Sequence, residues 1–330
     1  MAPLLTVRDL SKTFHPPGTL RASRAPSVPA VSEVNLTVNA SETVAVVGES
    51  GAGKSTLARL VLRLIEPDAG EVWFEGEDLR AMGRRRLRHA RGRMQMIFQD
   101  PYSSLDPTWT VGSSISEPLR VHRRMSSGER QRRTQELLEV VGLDQKMAQR
   151  NPAEFSGGQL QRLAIARAMS VEPTLIVCDE PVTALDVSLR GQILNLLAAL
   201  QAETGVAYLF ISHDLGVVRR FAHRVAVMYA GAIVEVGTPD AIFGSPRHPY
   251  TAALLRSIPT PDPRQRRLVA GASPELAVPG RGGGCAYRTR CPHAMPVCES
   301  DTPTLDLDEH GHGVACHLAP AGGSNAARGG

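Results

Sequence analysis

Thr43-Val-Ala-Val-Val-Gly48-Glu-Ser-Gly-Ala-Gly-Lys-Ser55 is the stretch that decides the fold. Its first five residues are an unbroken apolar or β-branched run, which predicts a buried strand. A glycine-rich loop follows directly. Residues 54–65 then repeat apolar side chains at helical spacing and stop before Pro67-Asp68. Gly-x-x-x-x-Gly-Lys-Ser between a strand and a helix is a phosphate cradle, because glycines let backbone N–H groups wrap an anion at the helix N-terminus. Gly48, Glu49, Ser50, Gly51, Ala52 and Gly53 form the loop, and Thr56 follows in the first helical turn. Lys54 is expected to reach the β- and γ-phosphates and Ser55 to ligate Mg²⁺, so ATP and Mg²⁺ are the expected ligands.

Outward from this loop, strand-like runs cover residues 4–8 and 34–38 before it, and 71–75 and 94–98 after it. Residues 107–171 carry helical patterns with charged faces and Pro or Gly breaks. Strand and helix then alternate: 174–178, 189–203, 206–211, and a strand pair at 225–229 and 233–236. Alternation with nearly apolar strands predicts an α/β fold whose central, mainly parallel sheet is covered on both faces. One strand, Leu175-Ile-Val-Cys-Asp179-Glu180, ends in two carboxylates. Both emerge where ligands bind in open α/β sheets. Asp179 suits Mg²⁺, and Glu180 suits the role of general base toward an attacking water. Two acids at such a place also suit the N-cap of the next helix.

Composition narrows the class. The 330 residues are 42% hydrophobic and 21% charged, enough for a packed core, and the net charge of +4 is too small to argue for nucleic acid. Six arginines crowd Arg84-Arg-Arg-Leu-Arg-His-Ala-Arg-Gly-Arg93, read as a solvated face or loop, or a contact for an acidic lipid or partner. No run approaches the ~18 apolar residues of a membrane span, and the first residues read as a strand rather than a signal peptide. A cytoplasmic protein that touches a membrane only peripherally is expected. Cys178 lies in an apolar run and reads as a buried structural thiol.

Phe155-Ser156-Gly157-Gly158-Gln159-Leu-Gln-Arg162 resembles the signature motif of ATP-binding cassette (ABC) ATPases, with Phe155 in place of the usual Leu. Other family elements follow the same order. Gln99 in Ile-Phe-Gln-Asp-Pro101 matches the Q-loop glutamine, expected at Mg²⁺ and near a membrane partner. Asp186 matches the D-loop, His213 the switch histidine at the γ-phosphate, and Phe14 an aromatic that stacks on adenine. The resemblance implies a P-loop NTPase core sheet of the ABC ATPase type with an inserted α-helical subdomain. It implies that Ser156, Gly157, Gly158, Gln159 and Asp186 complete the site of a second subunit. Glu180 and His213 together imply a catalytically competent half-site. Alone, His213 would read as a loop residue and Phe14 as a core aromatic.

Gln99-Asp-Pro-Tyr-Ser-Ser-Leu-Asp-Pro107, Glu180-Pro-Val-Thr-Ala-Leu-Asp-Val-Ser188 and Ser245-Pro-Arg-His-Pro-Tyr-Thr-Ala-Ala-Leu-Leu255 resemble the ATPase subunits of dipeptide and oligopeptide importers. The Pro-, Arg- and Ser-rich insertion between Phe14 and Val31 is similar to that of the second such subunit. Nickel and glutathione importers share these features. The partners this implies are a second ATPase subunit, a paralogue or the same chain, two transmembrane permeases and an extracytoplasmic substrate-binding protein, with no nucleic acid. A soluble ABC ATPase acting on nucleic acid, or a protein centred on its cysteine tail, are the rival readings.

That tail holds Cys285, Cys291, Cys298 and Cys316 within 32 residues, a clustering that argues for a soft-metal site rather than disulfides. The paired C-x2-C of structural zinc is absent. Four thiolates suit a [4Fe–4S] cluster, which the importer family also associates with this tail. Zinc, with His293 or His317 as alternative ligands, and no metal stay open. The expected organisation is a catalytic core at 1–106 and 172–258, a helical signature subdomain at 107–171, a small Cys-rich C-terminal extension at 259–318 reached through the Gly280-Arg-Gly-Gly-Gly284 linker, and a disordered tail at 319–330.

Overall fold

A computed structural model describes residues 2–14, 28–257 and 283–319. Most of the insertion expected between Phe14 and Val31, the opening of the C-terminal extension, most of the 280–284 linker and the tail beyond residue 319 lie outside the described residues. The chain divides into two units. One gathers Met1–Leu10, Asn35–Val44 and Ser55–Ser212; the other gathers Ser11–Val34, Ala45–Lys54 and His213–Gly330.

The first unit holds three parallel strands in the order Ala207–Ser212, Leu175–Asp179, Met94–Ile97. Leu175 pairs with Ala207 and Asp179 with Ile211, while Met94 pairs with Leu175 and Ile97 with Cys178. Every residue of the first two strands is buried, as an apolar run flanked on both sides requires. A hairpin joins Ala69–Phe74 to Glu77–Asp78 through Glu75 and Gly76, both at positive φ, the turn whose twist matches its strands. The expected helical stretch contains Val111–His122, Ser127–Val140 and Gly157–Met169. Side chains fix their starts: Thr110 caps the first, and capping boxes Ser126/Glu129 and Ser156/Gln159 open the others.

One expectation changes here, and the solvated-face reading of the arginine run gains detail. The helix after the loop runs Lys54–Val61 and stops short of residue 65, because Arg63 turns left-handed with φ 49° and the Leu64 N–H bonds back to the Arg59 carbonyl. The arginine run is a helix, Arg84–Arg93, and several of its charges are used within the unit. Arg86 pairs with Glu77, Arg93 with Glu75, and Arg91 donates to the carbonyls of Leu62 and Arg63.

The second unit contains antiparallel strands. Arg224–Tyr229 and Ala232–Gly237 form a hairpin through Ala230 and Gly231, with a bulge between Ile233 and Glu235. The cysteine-bearing segment adds two short strands: Gly313–Val314 pairs with Glu235 and Val236, and Asp306–Leu307 pairs with Gly313–Val314. Residues 283–319 therefore share a core instead of needing their own. Tyr287 is buried with Ala45, Val47, Val227, Tyr229, Val234 and Tyr250, and Cys285 and Cys291 pack against that cluster. Among the described residues, no helix is long and apolar enough to cross a membrane.

Candidate functional site

In the first unit the buried strand Leu175–Asp179 delivers Asp179 to its end, where the side chain meets Ser55. Ser55 Oγ donates to Asp179 Oδ1 at 2.8 Å. The next residue, Glu180, lies at φ 50°, a left-handed conformation that costs a non-glycine residue about 1 kcal/mol or more. Its N–H donates to the Ile211 carbonyl at 3.0 Å, which holds the turn. Two side chains donate to the carboxylate: Gln99 Nε2 to Oε2 at 3.3 Å and Thr183 Oγ1 to the same oxygen at 3.2 Å. The fold thus brings together Ser55, Gln99 and the adjacent pair Asp179 and Glu180, from three stretches of the sequence. Thr183 joins them although the sequence alone gives it no role; its place three residues after Glu180 in Glu-Pro-Val-Thr is the available signal.

The oxygens of Ser55, Gln99 and Asp179 are the hard donor set that Mg²⁺ prefers. Ser55 and Asp179 are already in contact, so the residues present fit that ion.

Ser156 stands at the N-cap of Gly157–Met169. Its Oγ accepts from the Gln159 N–H at 3.4 Å, and Gln159 Oε1 accepts from the Ser156 N–H at 3.0 Å. The side chain of Phe155 is buried, so the exchange of Leu for Phe keeps an apolar anchor before the cap. Asp186 precedes the helix Val187–Thr204. Arg190 braces that approach by donating to the Leu185 carbonyl at 2.8 Å and the Thr183 carbonyl at 3.4 Å.

In the second unit, residues 48–54 form the glycine loop. A Cβ on Gly53 would sit 2.1 Å from the Ala30 carbonyl oxygen, at φ 104°, so only glycine fits there. Lys54 is 5% exposed and arches back, its Nζ donating to the carbonyls of Gly48 and Glu49 at 2.9 Å each. The Glu49 N–H donates to Tyr250 Oη at 2.9 Å, and Arg290 grips the Glu49 carboxylate with both terminal nitrogens. Sequence alone assigns no role to Tyr250 or Arg290, even though Tyr250 belongs to the His-Pro-Tyr run that carries the importer resemblance. Phe14, at the end of Leu5–Phe14, keeps an exposed ring with Lys12 Nζ 5.9 Å from its centroid. His213 is exposed and directly precedes Asp214, which caps Leu215–Phe221.

All five cysteines are free thiols. Burial pushes the Cys178 thiol far up, consistent with an inert core position. Burial also raises Cys285 and Cys316, and the neighbouring C-terminal thiols add to both. The Cys285 N–H donates to the Cys298 carbonyl at 2.9 Å, and His317 Nε2 bonds to the Asp301 carbonyl. The donor chemistry of the four thiols fits a soft metal. Their geometry does not form a cage: among the described residues, no three His, Cys, Asp or Glu side chains stand together closely enough to hold an ion.

Residues 31–183 match the family described as ABC transporter, and residues 234–298 match the one described as oligopeptide/dipeptide transporter, C-terminal region. A probable peptide ABC transporter ATP-binding protein of Sinorhizobium fredii is 50% identical, over 96% of this chain and 91% of its own length. The oligopeptide transport ATP-binding protein AppF of Bacillus subtilis is 43% identical, over 96% of this chain and 97% of its own. Among solved structures, the ATP-binding cassette MJ0796, dimeric in a post-hydrolysis state with ADP and Pi, matches with a TM-score of 0.64 at 30% identity, covering 71% of this chain and 98% of that one.

Proposed function

The chain belongs to the ATP-binding subunits of peptide ABC transporters, and on that footing we propose that it hydrolyses ATP to power the import of dipeptides or oligopeptides. The loop amides of residues 48–53 and Lys54 hold the phosphates, with Thr56 behind them, and Phe14 stacks on adenine. Ser55, Gln99 and Asp179 would hold Mg²⁺, which when bound neutralises phosphate charge. Glu180 takes the proton of the attacking water and His213 contacts the γ-phosphate. Ser156, Gly157, Gly158, Gln159 and Asp186 serve the nucleotide of a second ATPase subunit, so a lone chain binds ATP and turns it over poorly.

One observation carries this reading. Glu180 follows directly on the Ser55–Asp179 hydrogen bond, on left-handed backbone, with Gln99 and Thr183 donating to its carboxylate. Strain of this kind collects at working sites. The decisive variant is Glu180→Gln: ATP binding persists while steady-state hydrolysis collapses, and wild-type turnover would remove Glu180 from the mechanism.

The same reading places the chain against the cytoplasmic face of the membrane through two permease subunits, with a substrate-binding protein on the far side. It keeps the division into core, helical subdomain at 107–171 and cysteine-bearing extension. Cys285, Cys291, Cys298 and Cys316 are proposed to hold a [4Fe–4S] cluster, with zinc as the alternative, after the sulfurs draw together from their present positions. Four thiols in one small segment support this. Absorbance near 400 nm with iron and zinc analysis of the purified chain decides it: a colourless protein with neither metal ends the proposal.

A further inference from the structure

Glu49 puts a carboxylate inside the loop that is read as cradling phosphate. Left alone, that charge opposes an incoming nucleotide. The structure does not leave it alone. Arg290 lies 241 positions away in sequence, and its Nη1 and Nη2 donate to Glu49 Oε2 and Oε1 at 2.9 and 3.0 Å. This is the bidentate fork that makes arginine–carboxylate pairs both strong and directional. The pair is only partly exposed, 26% at Arg290 and 41% at Glu49, which separates it from a freely solvated surface pair.

The arginine is itself held in place. Its guanidinium lies 5.8 Å from the ring centroid of Tyr229 and 5.7 Å from that of Tyr287. Those two rings pack edge to face at 5.2 Å, and Tyr250 packs on both at 4.6 and 5.5 Å. Tyr250 Oη also accepts the Glu49 N–H, so backbone and side chain of one loop residue are gripped from the same aromatic cluster. The bond to Glu49 holds the guanidinium firmly in its charged form, followed by the contact with Tyr229.

Arg290 sits on the short turn that joins Cys285 to Cys291. The Arg288 N–H bonds to the Cys285 carbonyl, the Arg290 N–H to the Tyr287 carbonyl and the Cys291 N–H to the Arg288 carbonyl. Arg290 therefore shares one hydrogen-bonded turn with both cysteines.

We propose that Arg290 is a positioning residue for the nucleotide loop: its paired hydrogen bonds neutralise Glu49 and fix that side chain, while Tyr250 holds the backbone, so that the cysteine-bearing segment tunes the affinity for ATP. This rests on reading residues 48–55 as the phosphate-binding loop.

The test is a binding cycle on the full chain with Mg²⁺ and a fluorescent ATP analogue, using Arg290→Gln, Arg290→Lys, Glu49→Gln and the Arg290→Gln/Glu49→Gln double variant. Arg290→Gln leaves an unpaired carboxylate in the loop and weakens binding about tenfold, a defect that shrinks in high salt. Arg290→Lys recovers part of it as a point charge. In the Glu49→Gln background the arginine substitution changes affinity less than about twofold, because its target is gone. A merely structural arginine gives the same loss in both backgrounds, and that result overturns the proposal, as does wild-type affinity in Arg290→Gln. Should Arg290→Gln lower the melting midpoint, the cycle run with Arg290→Lys distinguishes the two cases in the same way. Lys54→Ala tests the underlying reading separately: it abolishes binding if residues 48–55 hold phosphate, whatever Arg290 does.

Discussion

Glu180 in the first unit and Glu235 in the second are both acids set in largely apolar strand surroundings, and the fold treats them in opposite ways. Glu180 is partly exposed and stands on left-handed backbone just past its strand, accepting two side-chain hydrogen bonds at 3.2 and 3.3 Å. Glu235 sits inside the strand Ala232–Gly237 with no exposed surface. It accepts the Arg247 N–H at 2.7 Å and the His248 N–H at 3.0 Å, and shares 2.8 Å with His312 Nε2. A carboxylate that stays partly exposed at a strand end is within reach of a water whose proton it can take. Short bonds to backbone and a buried ring leave Glu235 no other work. The contrast teaches where to look for chemistry: at the acid a solvent-borne reactant can reach, not the one the fold has buried most deeply.

The largest expected effect falls on the partly exposed acid. Glu180→Gln keeps the shape and loses the base, so kcat for ATP hydrolysis drops by about 10²–10⁴. Nucleotide affinity and thermal midpoint stay near wild type, because a half-open carboxylate with two long bonds contributes little to folding. Steady-state turnover beside a melting curve measures both. A variant that melts early and still turns over would move Glu180 into the company of Glu235, and the contrast would collapse.

Glu235→Gln reverses the pattern. The amide turns an N–H group toward a site built from donors, leaving at least one of the Arg247, His248 and His312 groups without its acceptor. A buried network broken on one side costs about 2–4 kcal/mol. Urea unfolding should show that loss, while kcat per folded molecule stays within about twofold of wild type, since Glu235 meets neither nucleotide nor water in the proposed mechanism. Stability unchanged by this substitution would mean that the three hydrogen bonds carry no net weight.

The first of these two acids was legible in the sequence and the second was not, for a reason of distance along the chain. Asp179 and Glu180 end an apolar strand expected at 174–178 and found at Leu175–Asp179, so local pattern alone exposes them. The glycine loop, the signature helix start at Ser156 and the hairpin near residue 230 are local in the same sense, each fixed by a few neighbouring residues. Glu235 lies in a run that reads as an ordinary strand. Its partner His312 is 77 positions away, on a segment that sequence assigned to a separate extension. Arg290 and Glu49 are 241 positions apart. Nothing in either neighbourhood names the other, because tertiary closure alone creates the pair. The arginine run of Arg84–Arg93 was legible as a solvated face, and most of its arginines are exposed, but its pairings with Glu75, Glu77 and the carbonyls of Leu62 and Arg63 were not.

The smallest expected effect tests the neighbour of Glu235. His248 is almost fully buried, and burial lowers its pKa from 6.5 to about 4, with Glu235 pulling weakly the other way. Its Nδ1 accepts the Tyr250 N–H at 3.0 Å, a bond that only an unprotonated Nδ1 makes, and Tyr250 is the residue that holds the nucleotide loop through Glu49. The unfolded chain therefore takes up a proton near pH 6.5 that the folded chain refuses until about pH 4. Stability from this group is complete above pH 6.5 and is lost as pH falls toward 4. At pH 5 the loss amounts to about 2 kcal/mol, since 1.5 units below 6.5 correspond to about 1.4 kcal/mol each. Urea unfolding at pH 7 and pH 5 reads it directly. His248→Asn offers a cap that does not titrate in this range, so it should flatten the part of the slope that His248 supplies and leave the part due to other groups. An unchanged slope in that variant would show that acid sensitivity enters elsewhere.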